Sequence, residues 1–166
     1  MRAAALALLL LAGAAGAEGD WTSRIVRQTG DVTCGAAAVA TLIALSGPAD
    51  APTPTEGEVL AALMPLGGME EIRRRGGFSL LDLARYLESR GLRAVGEDGL
   101  DPDALGPRLP AILPIRLPGG RAHFVVAVAW DGRTLDVADP ATGPRRLDRA
   151  ALARAWDGVA FRIVPR

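Results

Sequence analysis

The chain has 166 residues, and its 19 basic and 19 acidic side chains give a formal net charge of zero. This length accommodates one ordinary domain with a sizeable hydrophobic core. The arginines are dispersed among acidic residues, which excludes the basic stripe of a nucleic-acid-binding surface, and a single cysteine excludes an internal disulfide bond.

Residues 1–17 have the pattern of a secretory signal peptide. A positively charged start is followed by an unbroken small and apolar run, and residues 15–17 fit the small-x-small cleavage pattern. We therefore expect a mature single domain over residues 18–166 and a periplasmic or secreted location. The apolar run is short for a permanent transmembrane helix, so no stable membrane insertion is expected after cleavage. An uncleaved membrane anchor stays an alternative.

An alanine-rich apolar run from Cys34 to Leu45 predicts the first helix. Thr33 or Asp31 can cap its N-terminus, and the Ser-Gly-Pro sequence at 46–48 predicts its end. Cys34 then lies in the first helical turn, where unpaired backbone N–H groups and the helix dipole favour a thiolate over a thiol. A buried, inert cysteine is the alternative interpretation.

The rest of the first half predicts further short helices. A capping box at Thr55 opens a helix through Met64, and a second at Ser79 opens an amphipathic helix that Gly91 ends. A charged helical turn lies between the two. Proline in the first turn predicts another short helix after Asp101.

Apolar and β-branched runs dominate the second half of the chain. Strands are predicted over residues 92–95, 111–117, 124–130, 134–138 and 159–164, and a last helix over 148–156. Because helices gather in the first half and strands in the second, we predict an α+β fold with N-terminal helices packed on one antiparallel sheet.

A predicted hairpin turn relates the only histidine to a later carboxylate. If Gly132 is left-handed and closes a three-residue loop, Ala129 pairs with Arg133. Counting back along the two strands then sets His123 opposite Asp139, with both side chains on one sheet face. A two-residue loop would shift the pairing by one residue and separate the faces.

These side chains form a candidate catalytic set. Cys34 supplies a nucleophile, His123 a general base and acid, and Asp139 a carboxylate that orients the imidazole. Asp136 is the rival carboxylate, but it points to the other face. The backbone N–H of Cys34 and the side-chain amide of Gln28 are candidate donors to an oxyanion. No cofactor is expected, because one cysteine and one histidine cannot complete a metal-ligand set without several carboxylates.

Several motifs, taken in chain order, carry a family resemblance. They are Gln28, Cys34-Gly35-x-Ala37, His123-Phe124-Val125-Val126 and Asp139-Pro140-Ala141-Thr142-Gly143, together with the segments 77–92 and 147–158. This set resembles the bacteriocin-processing (double-glycine) cysteine peptidase family. The resemblance implies a papain-like α+β fold, with Gln28 in the oxyanion hole, Cys34 as nucleophile, His123 as base and Asp139 as orienter. It further implies cleavage after a Gly-Gly pair of a leader peptide.

The chain departs from the transporter-fused members of that family. It shows no membrane spans or ATPase, and Thr33 stands where those members commonly have aspartate. It is more similar to free-standing, exported members, so we expect a peptide or protein substrate and no nucleic acid. The sequence leaves any secretion or pilus-type machinery unknown. Two alternatives to an exported cysteine endopeptidase stay open: a catalytically silent peptide-binding module, and a cell-wall amide hydrolase or acyl transferase.

Overall fold

A computed structural model of the protein describes residues 20–47, 52–65 and 68–165. The predicted signal peptide over residues 1–17 lies outside the described residues. Within these three ranges, none of the helices combines the length and the apolar character needed to cross a membrane.

The described residues form five α-helices and one six-stranded sheet. The helices are α1 Cys34–Ser46, α2 Glu56–Leu63, α3 Gly68–Arg75, α4 Leu80–Ser89 and α5 Arg149–Ala155. The strands are β1 Arg93–Glu97, β2 Ala111–Arg116, β3 Ala122–Trp130, β4 Thr134–Asp139, β5 Gly143–Asp148 and β6 Ala160–Val164. The strand order is β1-β6-β2-β3-β4-β5, and every neighbouring pair is antiparallel. The predicted α+β fold with one antiparallel sheet is confirmed.

Strand β5 is the element that the sequence pattern did not predict. It begins with Gly143 and Pro144 and continues with two arginines, so it lacks the apolar alternation of a half-buried strand. It lies at the edge of the sheet, where a proline is tolerated because its missing N–H need not join a ladder. Pairing with β4, rather than its own composition, makes this segment a strand.

Local capping fixes where two helices of the first half begin. The Thr55 and Ser79 side chains accept hydrogen bonds from the N–H groups of Glu58 and Asp82, whose carboxylates accept from the cap N–H groups in return. Both predicted capping boxes are therefore confirmed. Helix α4 ends just before Gly91, whose φ of +72° lies in the left-handed region that glycine adopts readily.

The sheet carries a hydrophobic core on each face. Ile112 and Val126 pack in one cluster with α1, whereas Leu113 and Val125 pack in another with Leu152 of α5. Neighbouring residues of one strand thus contribute to opposite cores, as the period of two requires. Helix α1 is buried on nearly all sides, and its many alanines allow the surrounding elements to approach it closely.

The predicted three-residue hairpin loop between β3 and β4 is wrong. Gly132 has the expected positive φ, +88°, but the Asp131 N–H donates to the Thr134 carbonyl, which leaves a loop of two residues. Ala129 therefore pairs with Asp136 instead of its predicted partner. If this register continued unchanged along the two strands, His123 and Asp139 would project from opposite faces of the sheet.

A β-bulge in β3 compensates for the shorter loop. The register shifts between Ala127 and Ala129, so that Ala127 pairs with Val137. The loop changes the pairing by three residues and the bulge changes it by one, so the two odd shifts cancel in side-chain parity and return His123 and Asp139 to one face. The predicted direct pairing of these two residues is nevertheless wrong, because the continued register makes them diagonal neighbours.

Candidate active site

Cys34 is buried at the first position of α1. Thr33 precedes it at the N-cap, but the prediction that Thr33 or Asp31 caps the helix is wrong, because neither side chain accepts a hydrogen bond from the first helical turn. The Thr33 hydroxyl instead donates to the Gly30 carbonyl at 2.9 Å and accepts from the Gly30 N–H at 3.0 Å. The first-turn N–H groups are thus left without a side-chain cap and favour negative charge beside Cys34.

His123 and Asp139 form a buried hydrogen-bonded pair. His123 Nε2 lies 2.8 Å from Asp139 Oδ1, and the two residues are only 6% and 1% exposed. His123 lies near the start of β3 and Asp139 ends β4, so the antiparallel pairing of these strands brings both to the same end of the sheet. Because Nε2 is engaged by the carboxylate, Nδ1 is the ring nitrogen left for Cys34.

Asp139 is held as a carboxylate by several donors. Oδ2 accepts from Arg145 Nη1 at 2.7 Å, and Oδ1 also accepts from the Ala141 N–H at 2.8 Å. Burial raises the pKa of Asp139, but the hydrogen bonds from His123, Arg145 and Ala141 outweigh burial and hold this pKa well below its ordinary value. Arg145 carried no sequence signal, since it lies in the unpredicted strand β5.

Cys34 and His123 shift each other's pKa in opposite directions. Burial raises the pKa of the Cys34 thiol, but hydrogen bonds with the His123 ring and the Phe124 backbone outweigh burial and leave the pKa lowered. Burial lowers the pKa of His123, but hydrogen bonds to Asp139 and Cys34 outweigh it and raise the pKa to about 9. These shifts favour a thiolate facing an imidazolium near neutral pH.

Gln28 lies in the loop before α1, which is tied to the turn that follows Asp139. The Gln28 N–H donates to the Pro140 carbonyl at 3.0 Å. In its side chain, Nε2 donates to the Gly30 carbonyl at 2.8 Å, and Oε1 is buried with no hydrogen-bond partner among the described residues. The side-chain nitrogen has a second N–H, which is the donor that an oxyanion would require.

Two charged residues that sequence reasoning missed hold this loop in place. Glu56, buried at the start of α2, accepts from the Thr29 N–H at 2.9 Å and the Thr29 hydroxyl at 2.7 Å. Arg27 donates to the Pro140 carbonyl at 3.1 Å and to the Ala141 carbonyl. In the sequence, Glu56 is an ordinary first-turn acid and Arg27 one of many dispersed arginines, so neither residue had a distinguishing signal.

The structure thus brings Cys34, His123 and Asp139 together in one row, in which His123 is hydrogen-bonded to Asp139 and interacts electrostatically with Cys34. The rival carboxylate, Asp136, pairs instead with Arg146 at 2.7 Å. The row can attack a carbonyl carbon, stabilise the charge that develops and transfer a proton. Across the residues that the structure describes, no group of three or more His, Cys, Asp and Glu side chains is placed to hold a metal ion.

Comparison with known proteins identifies a family and two curated relatives. The model of the Peptidase C39 family matches residues 68–166. The chain is 37% identical over 142 residues to the probable functional amyloid protease FapD of Pseudomonas aeruginosa, and 32% identical over 143 residues to the protein of that name from Pseudomonas fluorescens. These alignments cover 84% and 86% of the chain but only 60% and 61% of the relatives, so the chain spans about three fifths of their length.

Solved structures show the same fold at low sequence identity. The peptidase domain of Streptococcus ComA, a bi-functional ABC transporter, matches with a TM-score of 0.66 and 18% identity over 85% of this chain and 97% of that one. A double glycine motif protease from an AMS/PCAT transporter, in complex with the leader peptide, matches with a TM-score of 0.60 and 21% identity over 86% and 91%. These matches confirm the papain-like fold.

Proposed function

The chain belongs to the Peptidase C39 family of cysteine-type peptidases, and we propose that it hydrolyses a peptide bond with Cys34 as the nucleophile. In this proposal His123 is the general acid and base, Asp139 orients the imidazole, and Gln28 donates to the oxyanion. One observation carries the proposal: the buried His123 ring, whose Nε2 lies 2.8 Å from the buried Asp139 carboxylate, is near enough to Cys34 to lower the pKa of its thiol.

The reaction proceeds in two halves. The Cys34 thiolate attacks the carbonyl carbon, and the resulting oxyanion accepts hydrogen bonds from the Cys34 N–H and the Gln28 amide. The His123 imidazolium gives its proton to the leaving amine as the C–N bond breaks, which leaves a thioester. Neutral His123 then takes a proton from water, whose oxygen attacks the thioester. Collapse of the second oxyanion releases the acid product and the thiolate beside a protonated His123.

We extend the proposal to cleavage after a Gly-Gly pair. The support is the likeness in fold to a double glycine motif protease that was captured with a leader peptide, together with the motif order in this chain. Internally quenched peptides that differ only in having Gly-Gly, Ala-Ala or Leu-Leu before the scissile bond test the extension. We expect the Gly-Gly peptide to be cleaved fastest, and equal rates for all three would remove this specificity.

Thiol reactivity tests the catalytic assignment without knowledge of the substrate. We expect iodoacetamide to alkylate Cys34 at neutral pH at least about tenfold faster than it alkylates glutathione, because the thiolate is already formed. His123→Ala should remove this advantage. Ordinary reactivity that His123→Ala leaves unchanged would contradict the proposal. Cys34→Ala should abolish peptide cleavage with the fold intact, because the side chain contributes little core volume.

The same assays separate the alternative functions. A catalytically silent peptide-binding module would bind the peptides equally well with or without Cys34 and cleave none of them. A cell-wall amide hydrolase or acyl transferase would act on peptidoglycan fragments offered beside the Gly-Gly peptide. The buried, charge-paired Asp139 favours the peptidase over the silent module, since a binding role gives no reason to keep an oriented imidazole.

We also propose that the protein works outside the cytoplasm after removal of residues 1–17. The support is the signal-peptide pattern in the sequence. Cell fractionation and N-terminal sequencing of the protein from its natural host test this proposal. A mature N-terminus close to residue 18 in the periplasmic or secreted fraction is expected, and an unprocessed chain in the cytoplasm would contradict it.

A further inference from the structure

At the sheet end that holds the candidate catalytic pair, a cavity of about 350 Å³ is lined by three arginines. Arg116 ends β2, Arg145 lies in β5 and Arg154 lies in α5, and the floor between them is apolar, with Ile115 and Leu147. We call this cavity the arginine groove.

The arginine groove adjoins His123 and Asp139, whose side chains project from the same face of the sheet as the groove floor. Ile115 pairs with His123 across β2 and β3, and residues paired in this way project to the same face. On the other side, Arg145 donates to Asp139 at 2.7 Å. The groove thus begins one strand away from the imidazole.

The groove has an excess of positive charge. Arg116 pairs with the exposed Asp157 at 2.7 Å, and Arg145 is compensated by Asp139. Arg154 makes no hydrogen bond or ion pair within the described parts of the chain. No lining residue is acidic, although the chain as a whole is neutral. An anionic group that enters the groove therefore meets three guanidinium groups, one of which has no carboxylate partner.

The direction of the substrate follows from the chemistry of the proposed function, on which this inference rests. His123 protonates the leaving amine, so the chain segment after the scissile bond lies on the imidazole side of Cys34, and the groove is the basic surface one strand beyond the imidazole. We propose that the arginine groove binds acidic side chains on the C-terminal side of the scissile bond. The guanidinium groups pair with the carboxylates, and the apolar floor contacts their methylene groups.

A binding experiment tests the groove without requiring turnover. The Cys34→Ala protein is titrated into fluorescein-labelled Gly-Gly peptides that carry either two Glu or two Gln residues after the scissile bond, and anisotropy is measured. The Glu peptide should bind more tightly, by about two- to fivefold for each ion pair, and raised salt should reduce the difference. A third peptide, with the two Glu residues before the Gly-Gly pair, should show no such gain.

Two arginine variants then locate the effect. Arg154→Gln should reduce the preference for the Glu peptide about two- to fivefold. Arg133→Gln, which makes the same charge change at the exposed hairpin tip at the far end of the sheet, should leave it unchanged. Arg154→Glu should reverse the preference in favour of a peptide with two Lys residues. Thermal unfolding verifies that each variant is folded.

The outcomes separate this proposal from the proposed function. Equal affinity for the Glu and Gln peptides, an equal loss in Arg133→Gln, or tighter binding of a single-stranded oligonucleotide would overturn the groove assignment. If the wild type cleaves the Glu and Gln peptides at equal rates, the proposed peptidase function stands and the proposed role of the groove is rejected. If the Glu peptide binds more tightly but the wild type cleaves none of the peptides, the proposed peptidase function is rejected and the groove stands as a binding site for acidic peptides.

Discussion

Two parts of the molecule converge on Cys34, and they are held in different ways. His123 and Asp139, here called the strand pair, lie at strand ends and satisfy each other directly. The Gln28 loop, residues 27–30, has no helix or strand of its own and depends on neighbours such as Glu56 of α2. The sheet therefore preorganises the proposed proton-transfer groups, whereas contacts from separate elements position Gln28, the proposed oxyanion donor.

The two parts also serve different steps, which makes the comparison measurable. In the proposed mechanism the strand pair sets the thiolate state of Cys34, which both alkylation and peptide cleavage require. In that mechanism the Gln28 loop acts only when a tetrahedral oxyanion forms, and alkylation by iodoacetamide forms none. Variants of the strand pair should therefore slow both reactions, and variants of the loop should slow cleavage alone.

The largest effect is expected for Asp139→Asn. The amide cannot hold the imidazole in its tautomer or stabilise an imidazolium, so kcat should fall by about 10³- to 10⁴-fold, and Cys34 alkylation should slow as well. Asp136→Asn is the matched control, because it makes the same change on the same strand but faces Arg146. A cleavage rate in Asp139→Asn within about tenfold of wild type would show that the strand pair does not orient the imidazole.

Gln28→Ala should have the next largest effect. Loss of one oxyanion donor costs about 2.7–4 kcal/mol of transition-state stabilisation, or about 10²- to 10³-fold in kcat. The alkylation rate of Cys34 should stay at its wild-type value. A cleavage loss below about tenfold, or a parallel loss of alkylation, would remove Gln28 from this role.

Glu56→Gln should have a smaller effect of the same kind. The negative charge of Glu56 strengthens the hydrogen bonds that it accepts from Thr29. Without this charge the Gln28 loop is held less firmly, so we expect kcat to fall by about tenfold, with KM and the alkylation rate of Cys34 little changed. The effect should disappear in a Gln28→Ala background, because both changes act on one donor.

Thr55→Ala is the control for a purely structural role of Glu56. It removes the capping box of the same helix at a cost of about 1 kcal/mol and does not touch Thr29. It should lower the melting temperature and leave kcat unchanged. If Thr55→Ala and Glu56→Gln reduce kcat equally, the effect belongs to helix stability and not to loop position.

The smallest effect concerns the pH dependence of stability. Near pH 8, the unfolded chain holds one proton on the pair as a Cys34 thiol, and the folded pair also holds one, as a His123 imidazolium. Because the number of bound protons is the same in both states, the pair contributes little to the pH dependence of the wild-type free energy of unfolding near pH 8. In Cys34→Ala the contribution of the thiolate to the raised pKa of His123 is lost, and the hydrogen bond and charge of Asp139 are what still raise it. The stabilisation from the His123–Asp139 pair is full below pH 6.5 and is lost as pH rises through the folded pKa.

Urea unfolding of both proteins between about pH 6 and pH 9 measures this difference. The free energy of unfolding of Cys34→Ala should decline relative to the wild type as pH rises. Parallel curves would show that His123 and Cys34 do not share a proton in the folded protein.

The site was predicted partly through a wrong intermediate step. The sequence predicted a three-residue loop, and with it a shared face for His123 and Asp139. The loop has two residues, and an unpredicted bulge between Ala127 and Ala129 restores the parity. Nothing in the local β-branched run marks the bulge, because its position depends on how β3 pairs with its neighbours on both sides.

Local sequence determined the features that require only neighbouring residues. The capping boxes at Thr55 and Ser79, the start of α1 at Cys34 and most strand positions follow from side-chain spacing and backbone propensity, which act over a few residues. Cys34 and His123 could be selected because each is the only residue of its type in the chain.

Only the tertiary structure decided the contacts that join distant segments. Three features depend on which elements become neighbours after folding: the hydrogen bond from Arg145 to Asp139, the hydrogen bonds from Thr29 to Glu56, and the edge strand β5. Because these residue types are common, the local sequence does not indicate such contacts. The physical reason is that a buried charge is stable only beside its partner, and the chain supplies that partner from another element.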